Sequence, residues 1–334
     1  MKAKTTSVLG TLSIVIKTKD VEIMEQIKTV RFRPFSNEED YLALRDLIIK
    51  KFADPRRRFY PSLGDLDYIR SFNGHFKDII TICELEDGTI IGAIWPGHYH
   101  ILYCVTGPDY VGFEDEIFTW AEQRYCAPTL LEDRTGNEVY AWAYDEDATR
   151  VETLEARGYT KHTWYMYSGS IELDDSIPKP QFPQGFMVRP IISKDLEQKV
   201  NIMGGSAGLT APTMEAYQRL MGSPTYKQEL DLVIVDEEDQ IVGFANVWYD
   251  TANNIAIIEP FGTAPSHRRK GLATNLLYEC MHRLRKMGIA KLYINHGGLW
   301  TLDPEPDDAM RVYHKTGFQL LGNMFVWYKV CKCN

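Results

Sequence analysis

The sequence predicts an α/β protein built from two tandem copies of one unit. Strand-like and helix-like segments alternate along its 334 residues. Three local patterns occur twice, in the same order and at nearly constant spacing. The matched pairs are Arg33 and Arg189, 156 residues apart, Gly92 and Gly243, 151 apart, and Gly158 and Gly317, 159 apart. A spacing of this size indicates duplication of a whole domain rather than a short repeat.

In the first copy, apolar runs bounded by turn residues predict strands at 29–34, 78–85, 89–95, 99–105, 139–143 and 159–172. Apolar residues at three-to-four spacing predict helices at 38–52, near 114–126 and at 145–157. The last of these helices ends at Gly158, a residue that readily adopts the left-handed conformation of a helix end.

The second copy repeats this plan. The same patterns predict strands at 186–191, 231–236, 240–249, 255–258, 289–295 and 324–330. One helix is expected to begin near 194, with Ser193 as its cap. Three more helices are expected at 212–221, 272–287 and 307–315. Three prolines among charged residues make 174–185 a linker. The predicted organisation is therefore a leader at 1–28, domains at 29–173 and 186–334, and the linker between them.

Composition narrows the class of protein. The hydrophobic fraction of 44% and the charged fraction of 25% are typical of a globular protein. The net charge of -9 argues against a general nucleic-acid or anionic-membrane binder and suits a cationic substrate. No apolar run approaches the ~20 residues of a membrane-spanning helix. The start of the chain lacks a small-residue cleavage site, so we expect a short strand or a loose leader rather than a signal peptide.

The six cysteines are scattered, which predicts unpaired thiols in a reducing cytoplasm. Cys331 and Cys333 are separated by one residue, closer than the spacing of a zinc site, and no metal is expected.

One segment of the second copy has the composition of an anion site. The strand at 255–258 ends near Pro260, and a helix begins after Gly271. The start of a helix carries unpaired N–H groups and the positive end of the helix dipole, which together favour phosphate. Arg268, Arg269 and Lys270 add three positive charges beside it. A solvated basic helix start is the plainer alternative.

Two motifs in this copy carry a resemblance to a known family. Pro265-x-x-Arg268-x-x-Gly271-x-Ala273 resembles the acyl-CoA loop of the GNAT N-acetyltransferases. Downstream, Tyr313-x-Lys315-x-Gly317-Phe318 resembles the end of a helix that follows in that family. The resemblance implies two GNAT-like domains, each with a mixed, mostly antiparallel sheet flanked by helices.

The resemblance also implies acetyl-CoA as co-substrate and an amine-bearing small molecule or peptide as acceptor. The residues expected to bind the cofactor are those of the loop and its flanks: Phe261, Gly262, Thr263, Arg268, Arg269, Lys270, Gly271, Leu272, Ala273 and Thr274. Tyr313 matches the family's general acid, and the backbone N–H of Thr263 matches its oxyanion donor. A packed tyrosine on an amphipathic helix is the alternative for Tyr313.

Direct attack on a thioester needs a neutral amine, while a lysine-like amine has a pKa of about 10.4. Glu259, beside the bend at Pro260, is the best-placed carboxylate to accept the proton through a water molecule. It is equally well explained as a strand-end carboxylate that faces water or an arginine.

The first copy lacks these features. Acidic residues Glu114, Asp115 and Glu116 stand where the second copy has its basic loop, and Leu154 stands in place of the tyrosine. We therefore expect a degenerate domain that packs against the working one or walls its substrate cleft.

Several questions stay open at this stage. A regulatory module that binds acyl-CoA without turnover, and an acyltransferase directed to a hydroxyl or thiol, both fit the same loop. The segment 296–306 replaces the short connection usual in the family and either shapes the acceptor pocket or is an exposed loop. The acceptor and the oligomeric state are not predicted.

Overall fold

The computed structural model describes residues 29–53, 61–72, 74–129, 136–206, 212–296 and 308–331. The predicted leader at 1–28 and most of the segment 296–306 lie outside these residues. The helices are α1 Glu38–Ala53, α2 Leu63–Phe72, α3 Phe76–Ile79, α4 Glu114–Arg124, α5 Ala148–Ala156, α6 Leu196–Ser206, α7 Met214–Met221, α8 Leu272–Lys286 and α9 Asp308–Thr316.

The strands in the described ranges are β1 Val30–Pro34, β2 Thr81–Leu85, β3 Ile90–Pro96, β4 Ile101–Thr106, β5 Ala127–Pro128, β6 Asn137–Tyr144, β7 Thr160–Glu172, β8 Met187–Pro190, β9 Asp231–Val235, β10 Ile241–Asp250, β11 Ile255–Thr263, β12 Lys291–His296 and β13 Gln319–Val330. Apart from α3 and β5, the order of elements in the first half recurs in the second. This order agrees with the duplication predicted from the sequence.

The strands form one sheet in the order β1-β2-β3-β4-β6-β13-β7-β12-β11-β10-β9-β8, with β5 paired to β6. Pairings are antiparallel except for β4 with β6 and β11 with β12. The predicted mixed, mostly antiparallel sheet flanked by helices is thus confirmed.

The two halves of the sequence exchange their last strands. β13, from the second half, pairs with β6 of the first, and β7, from the first half, pairs with β12 of the second. The two long strands also pair with each other. The domain limits at 173 and 186 remain a prediction, but a cut there would remove one strand from each half of the sheet.

Helix α2 of the first half docks on the second half through specific polar contacts. Thr225 donates its N–H to Asp67 over 3.1 Å, and Arg219 donates to the carbonyl of Ser71 over 2.8 Å. A Cβ atom on Gly64 would lie 2.2 Å from the Trp248 ring, so the lack of a side chain lets α2 approach β10 closely. The position of α2 is therefore fixed relative to the second half.

The predicted pattern of unpaired cysteines is wrong for one pair. Cys126, after α4, forms a disulfide with Cys331, at the end of β13. The bond joins the exchanged strand to the first half. Cys83, Cys104 and Cys280 are free and buried, as expected.

The predicted linker, residues 174–185, contains no helix or strand and lies along α8. Its backbone is held at two points, where Asn275 accepts a hydrogen bond from the Gln181 N–H at 2.7 Å and His282 lies 3.0 Å from the Pro178 carbonyl. No helix in the described part of the chain is long and apolar enough to cross a membrane.

Candidate active site

The site lies where two parallel strands separate. β11 pairs with β12 from Ile255 to Ile258, opposite Lys291 to Ile294, and no further. Both strands continue beyond that point, to Thr263 and His296. The separation opens a wedge in the sheet. Along its edges, backbone N–H and C=O groups of β11 and β12 are not hydrogen-bonded between these two strands.

The backbone on the β11 side of the wedge is directed by its pairing with β10. The register shifts at the Glu259–Pro260 step, and Ala264 donates its N–H to Val242 of β10 at 2.8 Å. Because successive peptide groups of a strand point to opposite edges, the N–H groups of Phe261 and Thr263 face away from β10 and toward the wedge. The Thr263 hydroxyl is also buried there without a partner among the described residues.

Helix α8 begins at the mouth of the wedge. Gly271 is its N-cap residue, with φ of 78° and no side-chain cap. The positive φ favours glycine, and the absence of a capping side chain leaves the first N–H groups of the helix available to an anion. A Cβ atom at this position would find only Asn275 Nδ2, 3.7 Å away, so the space in front of the helix is open.

Arg268 and Arg269 stand beside this helix start. Arg268 Nε contacts the Thr263 carbonyl at 3.5 Å, and Arg269 lies 3.6 Å from Asp308 with 81% of its side chain exposed. The ammonium of Lys270 lies 5.5 Å from the centre of the Phe186 ring, on the outside of the cavity. The helix dipole and the two arginines therefore make this end of the wedge attractive to phosphate.

Tyr313 is buried on the inner face of α9, with 5% of its surface exposed. Its ring packs near those of Phe261, His296 and Phe318, with centres 6.2, 5.7 and 5.7 Å away. Tyr313 is thus packed among aromatic rings and also lines the wedge. Its role as a general acid stays a prediction.

Glu259 lies at the opposite end of the wedge. Its Oε2 atom is buried without a hydrogen-bond partner in the described ranges. Burial, and then the nearby carboxylate of Asp65 in α2, raise the pKa of Glu259 well above its usual value of 4.5. Burial also raises the pKa of Asp65 to about 6. An arginine partner, one of the alternatives left open by the sequence, is not found among the described residues.

These elements enclose a cavity of about 720 Å³. Every predicted site residue except Lys270 lines it: Glu259, Phe261, Gly262, Thr263, Arg268, Arg269, Gly271, Leu272, Ala273, Thr274 and Tyr313. The lining also includes residues that were not among the predicted site residues, such as Met166, Asn295, His296, Arg311 and Lys315. Among the described residues, no three His, Cys, Asp or Glu side chains form a group that could hold a metal ion.

The corresponding wedge of the first half is filled by its own side chains. β4 and β6 pair only at Ile101 and Leu102 before they separate. The guanidinium of Arg150 lies in this opening, where it donates to the carbonyls of Cys104 and Trp142 over 3.2 and 3.4 Å.

Arg150 also binds Glu114, the first residue of α4, with an Nη2–Oε1 distance of 2.6 Å. Both side chains are buried. An internal carboxylate and its arginine thus occupy the helix start that is open in the second half, which gives a physical reason for the predicted degeneration of the first copy.

Comparison with known proteins agrees with this geometry. Residues 208–318 match the sequence model of the family described as "Acetyltransferase (GNAT) family". A search of curated protein sequences gave no significant match.

Among solved structures, a GCN5-related N-acetyltransferase from Sphaerobacter thermophilus is 17% identical, with a TM-score of 0.60 over 91% of this chain and 96% of that one. A tandem GNAT protein from the clavulanic acid biosynthesis pathway is 13% identical, with a TM-score of 0.61 over 92% and 100%. A GNAT-family acetyltransferase from Colwellia psychrerythraea is 11% identical, with a TM-score of 0.57 over 90% and 99%. At identities this low, the structural similarity shows a shared fold alone.

The matched domain and the open wedge define the class of protein, an acyltransferase. More particularly, residues 208–318 form a domain of the GNAT acetyltransferase family, set in a tandem GNAT fold.

Proposed function

We propose that the chain transfers an acetyl group from acetyl-CoA to an amine, by direct attack within a ternary complex in the second half. The observation that carries this proposal is the polarity of the cavity. Its mouth is a helix start flanked by Arg268 and Arg269, and its inner end holds the carboxylate of Glu259. A donor with phosphates and an acceptor with a positive charge would enter opposite ends of one wedge.

At the donor end, the N–H groups at the start of α8 and the two arginines would hold the pyrophosphate of acetyl-CoA. Inward-facing N–H groups of Phe261 and Thr263 would then lie along the acyl arm. The N–H of Thr263 is the candidate donor to the carbonyl oxygen as negative charge develops there. The unpartnered polar atoms at Glu259 and Thr263 fit a site that completes its hydrogen bonds with a ligand.

At the acceptor end, Glu259 would take a proton from the ammonium to give a neutral amine. Because the pKa of Glu259 is raised, it lies closer to the amine's value of about 10.4, and the transfer is less unfavourable than to an ordinary carboxylate. Attack then forms the N–C bond and breaks the C–S bond. Tyr313 would protonate the leaving thiolate, and one proton is released overall.

The test uses the full-length chain. Acetyl-CoA binding is measured by calorimetry, and the release of free thiol is followed with panels of amines, alcohols and thiols. We expect binding and amine-dependent thiol release, with the N-acetyl product identified by mass spectrometry. Binding without turnover for any acceptor would favour the regulatory module, and turnover restricted to alcohols or thiols would replace the amine in the proposal.

The raised pKa of Glu259 predicts the pH dependence of the reaction. A base acts only when deprotonated, so kcat/KM should fall about tenfold per pH unit below the pKa of Glu259, with the break well above pH 4.5. Glu259→Gln should abolish this break, whereas Glu279→Gln, on α8 and outside the cavity, should keep it. If the pH profiles of the wild type, Glu259→Gln and Glu279→Gln coincide, Glu259 takes no part in the proton transfer.

The filled wedge of the first half predicts a single binding site. Since Arg150 and Glu114 occupy the first opening, calorimetry should give one acetyl-CoA per chain. The experiment requires the intact chain because the two halves exchange strands. A stoichiometry of two would contradict the assignment of the first half as a degenerate copy.

The binding partners of the chain are also part of this proposal. The acceptor is an amine-bearing small molecule or peptide, and neither nucleic acid nor membrane is expected to bind. A cytoplasmic location remains a prediction from the sequence. The Cys126–Cys331 disulfide argues against it, because such bonds form mainly in oxidising compartments.

A further inference from the structure

The register of β11 and β12 places an amide beside the carboxylate at the inner end of the cavity. Successive side chains of a strand point to opposite faces of the sheet. Ile257 and its partner Tyr293 belong to the core that includes α1 of the first half, and the next pair belongs to the core that includes α8. Glu259 and Asn295 come one position later, so both lie on the face toward the first half, side by side where the strands begin to separate.

Both residues line the cavity of the proposed site. Neighbouring strands lie about 4.8 Å apart, and these two diverge only after Ile258 and Ile294. One small molecule can therefore contact the carboxylate of Glu259 and the amide of Asn295 at the same time. Met166, on β7, lines the same cavity and adds an apolar wall.

The amide of Asn295 is oriented by the strand that crosses over from the first half. Asn295 pairs with Ser168 of β7, and Ser168 donates its hydroxyl to Asn295 Oδ1 over 2.8 Å. Ser168 is itself buried. The bond occupies the amide oxygen, while the amide nitrogen Nδ2 has no hydrogen-bond partner among the described residues. The two N–H groups of this amide are therefore available to a ligand.

We propose that Asn295 is a specificity-determining residue, which donates an amide N–H to an uncharged oxygen of the acceptor while Glu259 contacts the amine. This inference rests on the proposed amine acetylation and narrows its substrate class. Because the two side chains are neighbours, the oxygen should be on the carbon next to the one that carries the amine. Amino alcohols have this N–C–C–O arrangement, and so do amines beside an amide carbonyl, as at the start of a peptide. Ser168 acts as a positioning residue through Asn295.

Isobutylamine, isopropanolamine and glycinamide are matched probes of this oxygen. A hydroxyl replaces one methyl group of isobutylamine in isopropanolamine, and an amide replaces its branched end in glycinamide. With saturating acetyl-CoA, Asn295→Leu should lower kcat/KM about tenfold for an oxygen-bearing amine, the effect of one lost hydrogen bond, and less than about twofold for isobutylamine. The change in preference between wild type and variant is compared, so the different nucleophilicities of the amines cancel. The probe with the larger loss identifies a hydroxyl or a carbonyl as the preferred oxygen.

Ser168→Ala tests the positioning role, because it removes the bond that orients the amide and keeps the amide itself. It should lower the preference for the oxygen-bearing amine about threefold in the wild type and should have no effect on it in Asn295→Leu. Ser170→Ala is the matched control, since Ser170 is also buried on β7 but pairs with Tyr293 instead of Asn295. A bond that served only to join β12 to β7 would, when removed, lower the Tm and affect all three amines equally.

A binding measurement separates failure of this inference from failure of the proposed function. The full-length chain is titrated by calorimetry with each amine at pH 7 in the presence of CoA, which has no acetyl group to transfer. The wild type should bind at least one oxygen-bearing amine about tenfold more tightly than isobutylamine, and Asn295→Leu should bind all three with Kd values within about twofold. If this pattern is found but acetyl-CoA is not turned over, only the proposed function fails. If the wild type shows no preference, or if Asn295→Leu retains it, the inference is overturned.

Discussion

Gly271→Glu is expected to abolish acetyl-CoA binding in a protein that remains folded. The N-cap position faces open space at the start of α8, where the phosphates would lie. A glutamate there would fill this space and place a negative charge beside the bound anion. With φ at 78°, any side chain also strains the backbone, so the first N–H groups of the helix would move. Calorimetry with acetyl-CoA should show no measurable heat of binding.

Gly288 offers a matched control at the other end of the same helix. It has φ of 79°, and a Cβ atom there would meet nothing within 4 Å. Gly288→Glu therefore introduces a similar strain and the same charge without approaching the cavity. It should bind acetyl-CoA normally, and both variants should show wild-type circular dichroism. If folded Gly271→Glu binds as tightly as the control, the pyrophosphate lies elsewhere.

The sequence predicted the candidate site best where its residues are close together in the sequence. Gly271 and the arginines before it are brought into one loop by the strand and helix that flank them, so their closeness in space follows from their order in the sequence. Tyr313 was reached through the resemblance of its motif, and the structure places it on the cavity wall. Lys270 was expected to bind the cofactor, but its side chain points toward Phe186 and does not line the cavity. The direction of a single side chain depends on the conformation of the turn, which the sequence pattern did not predict.

The other side of the site depends on contacts between distant segments. Met166 reaches the cavity because β7 crosses into the second half of the sheet, and Gly64 comes close to the Trp248 ring because α2 docks on β10. Neither the strand exchange nor the helix docking leaves a periodic pattern in the sequence. The helix α2 itself was not predicted, and the disulfide between Cys126 and Cys331 joins residues 205 positions apart.

The filled wedge of the first half is a second feature that the sequence predicted only in part. The sequence indicated that acidic residues replace the basic loop, and this predicted a lost cofactor site. It did not indicate that Arg150 would enter the wedge and bind Glu114 together with two strand carbonyls. The interaction depends on α5 lying over the opening, a feature of the folded chain rather than of local sequence.

Tyr313→Phe is expected to lower kcat by a factor on the order of 10²–10⁴, with little change in the affinity for acetyl-CoA. The substitution keeps the ring, so the packing against Phe261, His296 and Phe318 is retained. It removes only the hydroxyl that would protonate the leaving thiolate. An interaction made mainly in the transition state affects kcat more than substrate binding.

Two acetyl donors whose thiols differ in pKa make the test specific. A less basic thiolate leaves without full protonation, so the loss in Tyr313→Phe should be smaller with the donor of lower thiol pKa. Tyr293→Phe provides the control, since Tyr293 is also buried in the second half but does not line the cavity. If Tyr313 served packing alone, both variants would keep nearly wild-type kcat with either donor. That result would remove Tyr313 from the chemistry and would strengthen the alternative of a module that binds acyl-CoA without turnover.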